Sequence, residues 1–223
     1  MFKLKDWIDQ DKISWTRLSE NPSEGALTLL EKNQDKINWN CLSYNPSAIS
    51  LLEKNQDKII WSQLSENPSA ISLLEKNQDK IDWTQLSRNP SARALTLLEQ
   101  NQDKIYWYWL SRNPAARALT LLEKNQDKID WTQLSLNPSA RAIALLEKNQ
   151  DKIDWCQLSR NPSTRAMSLL EKNQDKIYWI WLSLNPSELS ILENNQVKID
   201  WSHLSSNPSA RAIALLEKNQ DNI

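Results

Sequence analysis

The chain has 223 residues, with 27 Lys and Arg against 28 Asp and Glu, so its formal charge of −1 provides no global field to attract nucleic acid or an anionic membrane surface. Twelve Trp and nine Pro stand against one Gly, one Phe and one His, which excludes an ordinary domain whose turns rely on glycine. No run approaches the roughly 18 apolar residues that span a bilayer, the N-terminal residues lack an apolar core of signal-peptide length, and Cys41 and Cys156 are too isolated for a disulfide framework.

Taken in chain order, residues 1–12, with Phe2, Leu4, Trp7 and Ile8, read as a degenerate half-repeat that caps an array. Residues 13–223 then form one tandem repeat, expected as one continuous domain. A Trp recurs at Trp15, Trp39, Trp61, Trp83, Trp107, Trp131, Trp155, Trp179 and Trp201, and a Pro follows each of them seven residues later. The spacing is 24 residues five times and 22 three times. The long copies carry two extra residues between the Pro and the Leu-Leu pair. Two residues turn a helix by about 200°, so the difference is expected at the start of the second helix rather than in its middle.

The copy from Ile81 to Lys104 shows how one repeat is built. Asp82 and Gln85 make a D-x-x-Q capping box for a first helix beginning at Trp83, with Ile81 and Leu86 placed as a hydrophobic staple. The Asn-Pro step ends that helix, because a residue before proline is driven out of the α region. Asn89 is expected as N-cap and Pro90 as first residue of a second helix running to about Gln100, with Glu24 and Glu188 at N3 of their own copies. Ala94, Leu95, Leu97 and Leu98 give that helix its apolar face. Asn101 is expected to stop it in the left-handed region, and Asn-Gln-Asp-Lys to return extended to the next Ile.

Seven or so apolar positions per repeat bury too little surface to offset an ordering cost of about 1–2 kcal/mol per residue. Stacking turns both flanks of each repeat into shared core. The expected fold is therefore all-α, an α-solenoid of about nine two-helix repeats, extended or gently superhelical, roughly 80–90 Å long at the usual helix spacing of about 8–10 Å. The recurrent Trp should be core, and Asn33, Asn55, Asn77 and their equivalents a hydrogen-bonded ladder. The last repeat, Arg211 to Ile223, has no polar cap and is a candidate surface for self-association.

The motif L-S-x-N-P-S-A…L-L-E-K-N-Q-D-K-I-D-W resembles a short Trp/Asn-Pro repeat family abundant in giant DNA viruses of amoebae. The resemblance covers nearly the whole chain. It implies a viral repeat protein, located in the host cytoplasm or the virion, with a scaffold or host-interaction role. A weaker similarity, to leucine-rich variant repeats, implies solenoid geometry alone. Neither resemblance implies catalytic residues or a cofactor.

Positions constant in every copy serve the stack, so function is sought where copies depart from the consensus. Tyr106-Trp107-Tyr108-Trp109 and Tyr178-Trp179-Ile180-Trp181, three repeats apart, replace the capping Asp by Tyr and the Gln by Trp. Two readings stand for Tyr106, Tyr108, Trp109, Tyr178, Ile180 and Trp181. They pack against neighbouring repeats, or they present aromatic anchors to a protein partner, with Tyr44, Leu136 and Leu184 extending the patch. Arg93, Arg117, Arg141, Arg165 and Arg211, with Arg88, Arg112 and Arg160 nearby, form a basic stripe that would suit phosphates. The balancing Glu and Asp disfavour nucleic acid and favour local ion pairs. His203 is alone and stands in a Gln position, and no metal-spaced or phosphate-loop motif occurs. The sequence thus reads as a non-enzymatic, soluble, intracellular scaffold without cofactor or metal, binding a protein partner. Nucleic-acid binding or a purely structural virion role are the alternatives.

Overall fold

A computed structural model of the protein describes residues 12–187 and 190–220. The half-repeat expected at the start lies outside these residues except for Lys12, as do Glu188 and Ile223. The described residues contain helices and turns without a strand, arranged as an all-α repeat solenoid. The chain divides into two compact units, Met1–Trp109 and Leu110–Ile223.

In the N-terminal unit the first helices are Trp15–Glu20, Trp39–Tyr44, Trp61–Glu66 and Trp83–Leu86, and the second helices are Glu24–Lys32, Ile49–Glu53, Ile71–Lys76 and Ala92–Gln100. In the C-terminal unit the first helices are Trp131–Leu136, Trp155–Ser159, Trp179–Leu184 and Trp201–Leu204. Its second helices are Ala116–Lys124, Ala140–Lys148, Thr164–Glu171, Ser190–Asn194 and Ala210–Lys218. A further first helix, Trp107–Arg112, runs across the boundary. Within each unit, like helices pack on like helices of the next repeat. Between them lies a core of one Ile, the first-helix Leu and the second-helix Ala and Leu side chains, among which Leu64, Leu86, Leu98, Leu134 and Leu146 are wholly buried.

The first helix is capped as its sequence suggests. Ser14, Asn38, Asp82, Asp130, Asp154 and Asp200 each accept the backbone N–H three residues on. The other half of the capping box goes elsewhere. The Asp82 N–H donates to Ser65 Oγ of the preceding repeat at 3.0 Å instead of to Gln85. The second helix starts later than expected, at Ala92 rather than Pro90, with Ser91 as its cap. Asn89 is not that cap. Its Oδ1 accepts the Ser91 N–H in a tight turn, while its Nδ2 reaches back to two carbonyls of the preceding repeat. The short copies differ where the two missing residues predicted. Ala48 and Ala70 begin their second helices directly, with no side-chain cap, and these helices have five and six residues against nine in Ala92–Gln100.

The helix end also departs from expectation. No described residue has positive φ, glycine included. Asn101 stands at φ −129° and ψ 57°, and its Nδ2 donates to the Leu97 carbonyl four residues back, satisfying a helix-terminal acceptor that the left-handed cap would otherwise serve. Gln102–Lys104 then forms a 3₁₀ turn rather than an extended return. A repeat closed this way needs no left-handed residue, which is why one glycine suffices for the chain. Asn33, Asn55 and Asn77 bond in the same local manner, to Leu29, Leu51 and Leu73, and therefore do not form the ladder expected of them.

The ladder that does run between repeats is built from Asn-Pro and Leu-Ser. Asn67 Nδ2 donates to the Ser43 and Asn45 carbonyls, and Asn89 Nδ2 to those of Ser65 and Asn67, at 3.0–3.1 Å. Asn137, Asn161, Asn185 and Asn207 repeat the pattern in the C-terminal unit. The buried serine is the second hub. Ser65 Oγ donates to the Trp61 carbonyl and accepts the Asp82 N–H. Each Asn and Ser named here thus keeps a partner when removed from water, as burial requires, whereas the buried Gln133 Oε1 has none.

The recurrent Trp are not buried core, contrary to the expectation. All nine are half-buried. At junctions within each unit the lysine before I-x-W lies over the Trp ring of the preceding repeat, as with Lys80 over Trp61 at 4.8 Å and Lys176 over Trp155 at 4.8 Å. The indole remains at the rim because an ammonium stays in water while touching the electron-rich face.

Candidate functional site

The two aromatic exceptions follow from how the junction is wired. The contact that a repeat needs at its Asp82 position is the backbone N–H, and Tyr106 and Tyr178 still donate theirs to Ser87 and Ser159 Oγ at 3.0 and 3.1 Å. Replacing Asp forfeits only the local cap, and Tyr178 makes no side-chain cap bond. The side chain at this position points to the surface, so a Tyr is tolerated and displayed there. Tyr106 is 48% exposed and Tyr178 53%.

The neighbouring positions complete each cluster. In the N-terminal unit, Tyr108 is exposed and meets Trp109 edge to face at 4.8 Å, with Tyr106 6.0 Å from Tyr108. The guanidinium of Arg88 lies 4.6 Å above the Trp109 ring while also pairing with Glu66 at 3.3 Å and with Gln85 Oε1. In the C-terminal unit, Ile180 is exposed, and Arg160, bonded to Gln157 Oε1, lies 4.6 Å above Trp181. Trp109 and Trp181 are half-buried. The Trp packs under an Arg of the preceding repeat, and the Tyr and Ile face solvent. Tyr44 is likewise exposed, whereas Leu136 and Leu184 are half-buried.

The arginine stripe is neutralised. Arg93 pairs with Glu75, Arg141 with Glu123, Arg165 with Glu147 and Arg211 with Glu193, each reaching the acid of the preceding repeat. Arg165 and Arg211 engage both carboxylate oxygens. The Arg165 fork holds Glu147 below the ordinary glutamate range, and Glu147 in turn raises Arg165. Arg117 also has a partner. A row of exposed Arg–Glu pairs offers phosphates little net attraction.

The remaining chemistry-bearing side chains are engaged locally. His203 Nδ1 lies 2.8 Å from Asp200 Oδ1, the same oxygen that accepts the His203 backbone N–H, and this backbone bond is the main cause of a lowered Asp200 pKa. Cys41 donates its thiol to Glu20 Oε1 at 3.3 Å, and burial together with that carboxylate raises its pKa, the reverse of thiolate activation. Among the described residues no group of three or more His, Cys, Asp or Glu is placed to hold a metal ion, and no helix is long and apolar enough to cross a membrane.

Sequence reasoning singled out the Tyr and Trp but placed Arg88 and Arg160 beside the basic stripe and missed their stacking on Trp109 and Trp181. The signal was available, since Arg88 and Arg160 precede Trp109 and Trp181 by the same 21 residues. It also missed the Lys–Trp stacking, although Lys precedes every I-x-W. No protein-family model, curated protein or solved structure matches the chain.

Proposed function

We propose that the protein is a non-catalytic repeat scaffold that binds a protein partner through its two aromatic clusters, centred on Tyr106, Tyr108 and Trp109 and on Tyr178, Ile180 and Trp181. The carrying observation is the combination of exposed Tyr and Ile side chains with Trp rings stacked under Arg88 and Arg160. A large aromatic group already fixed by its neighbours loses little entropy on binding, which is what binding hot spots exploit. The neutral Arg–Glu rows and the charge of −1 favour this reading over nucleic-acid binding. Assignment to a large DNA virus, and to virion or host cytoplasm, rests on the motif resemblance. A purely structural virion role would leave the clusters without a separate partner.

The test is a crosslinking pull-down with the wild-type chain and a Tyr106→Ser, Tyr108→Ser, Tyr178→Ser, Ile180→Ser variant. All four positions are exposed, so the variant should keep the wild-type melting temperature. The partner bound by wild type should be reduced at least about tenfold, the equivalent of about 1.4 kcal/mol. Undiminished recovery would overturn the assignment of these surfaces.

A further inference from the structure

The residue before each Asn-Pro varies from repeat to repeat while the backbone on either side of it is held. In successive repeats of the C-terminal unit it is Arg112, Leu136, Arg160 and Leu184. Asn137 Nδ2 donates to the Ser111 and Asn113 carbonyls, which flank Arg112. Asn161, Asn185 and Asn207 grip the chain in the same way around Leu136, Arg160 and Leu184, at 2.8–3.1 Å. The flanking Ser111, Ser135 and Ser159 accept the Asp130, Asp154 and Tyr178 N–H of the following repeat. These side chains therefore follow one another, one per repeat, along a strip beside the ladder, with both Arg exposed and both Leu half-buried.

In the N-terminal unit the same position holds Glu20, Tyr44, Glu66 and Arg88, and its charges are engaged there. Glu20 accepts the Cys41 thiol, and Glu66 pairs with Arg88 at 3.3 Å. The C-terminal strip contains no acid. Among the described residues neither Arg112 nor Arg160 has a carboxylate partner. Arg160 is held by Gln157 Oε1 and the Trp181 face through one edge, and its remaining guanidinium N–H groups stay open. Leu136 does not serve its own repeat. Arg88 and Arg160 each bond the Gln three residues before them, whereas with Leu at 136 the buried Gln133 Oε1 goes without a partner, a cost to the folded chain.

We infer that the Arg112-Leu136-Arg160-Leu184 strip binds an acidic and apolar segment of a protein partner in the polyproline II conformation. Charge and period set this class. Stacked helices lie about 8–10 Å apart. A polyproline II helix has three residues per turn and rises about 3.1 Å per residue, so one turn of about 9.3 Å matches one repeat. Every third residue of such a segment faces the strip, and the complementary order is acid-x-x-apolar-x-x-acid-x-x-apolar. Each carboxylate accepts from the open edge of one guanidinium, and the apolar residues lie on Leu136 and Leu184. A phosphate chain would meet two leucines where it needs cations. The inference rests on the reading of the Trp181 surface as a docking face, and names what docks beside it.

Fluorescence anisotropy at low salt, with the full chain and the labelled peptide E-P-P-L-P-P-E-P-P-L, tests it. A peptide of the same composition without the period, E-E-L-L-P-P-P-P-P-P, is the control. The periodic peptide should bind saturably, and the control should bind at least about tenfold more weakly, as expected for losing a hydrogen bond to a charged group. An Arg112→Gln, Arg160→Gln chain should lose the same factor at an unchanged melting temperature, since both positions are exposed. Leu136→Glu, which sets an acid beside Arg160 as Glu66 stands beside Arg88, should weaken binding likewise. No saturable binding, equal affinity for the control peptide, or undiminished binding to the double Gln chain overturns the inference. So does an oligothymidylate that binds through Arg112 and Arg160 in place of the peptide. Failure of the peptide, with the partner still lost in the four-serine variant, overturns this inference alone; full recovery of the partner by that variant overturns the reading beneath it.

Discussion

Residues 140–148 and 210–218 are the same nine amino acids in the same local conformation, yet they occupy different environments. Ser139 and Ser209 cap them identically, and Asn149 and Asn219 close them identically. The helix Thr164–Glu171 packs on the first, where Ile143 and Leu146 are wholly buried, whereas Ile213 faces solvent. The comparison separates two contributions to stability. Caps and local bonds belong to the repeat, while burial belongs to the pair of repeats, as expected for a quasi-one-dimensional array.

The comparison can be broken most sharply at the isoleucines. Ile143→Ala should lower the unfolding free energy by about 2–5 kcal/mol, the usual range for emptying a core site, and Ile213→Ala by less than about 1 kcal/mol. Urea denaturation of both variants gives the two values, and equal losses would show that burial at 143 contributes nothing special. The serines come next. Ser135→Ala leaves the Asp154 N–H without its buried acceptor and should cost about 1–3 kcal/mol. Ser205→Ala, which breaks one exposed local bond, should stay within about 0.5 kcal/mol. Hydrogen exchange at the Asp154 amide is the independent readout, and it should accelerate in Ser135→Ala alone.

The smallest effect is electrostatic. Glu147 pairs with Arg165, and its pKa is lowered in the folded state. A depressed carboxylate pKa contributes stability that is complete above the unfolded value, about 4.3 for glutamate, and is lost as pH falls through the lower folded value. Glu147→Gln should therefore cost no more than about 1 kcal/mol at neutral pH, since the pair is exposed, and nothing once both pKa values are passed. Glu217, the same position of the second nonapeptide, has no such pair among the described residues, so Glu217→Gln should change stability at neutral pH by less than about 0.5 kcal/mol. An equal loss in both variants would remove the pair from the account.

What could be read from the sequence depended on the distance over which each feature is decided. The nine-fold period, the first-helix caps at Asp82 and its equivalents, the interruption at Asn-Pro and the shortened second helices at Ile49 and Ile71 are settled within a turn or two of chain. Propensity, proline sterics and capping act over that range. The repeat number and the all-α class followed from them.

Tertiary structure decided which partner each polar side chain takes. Asn89 and Asn101 are the same residue type in one repeat, yet Asn89 bonds carbonyls 22 and 24 residues back while Asn101 bonds one four residues back. Nothing local distinguishes their hydrogen-bonding capacity, so only the stacking of one repeat on the next assigns them. The same holds for Lys80 over Trp61, Arg88 over Trp109 and the Asp82 N–H on Ser65. For Tyr106 and Tyr178 the sequence marked the departure from consensus. Their display to solvent came from the stack, because the junction takes hold of the backbone at that position and leaves the side chain outside.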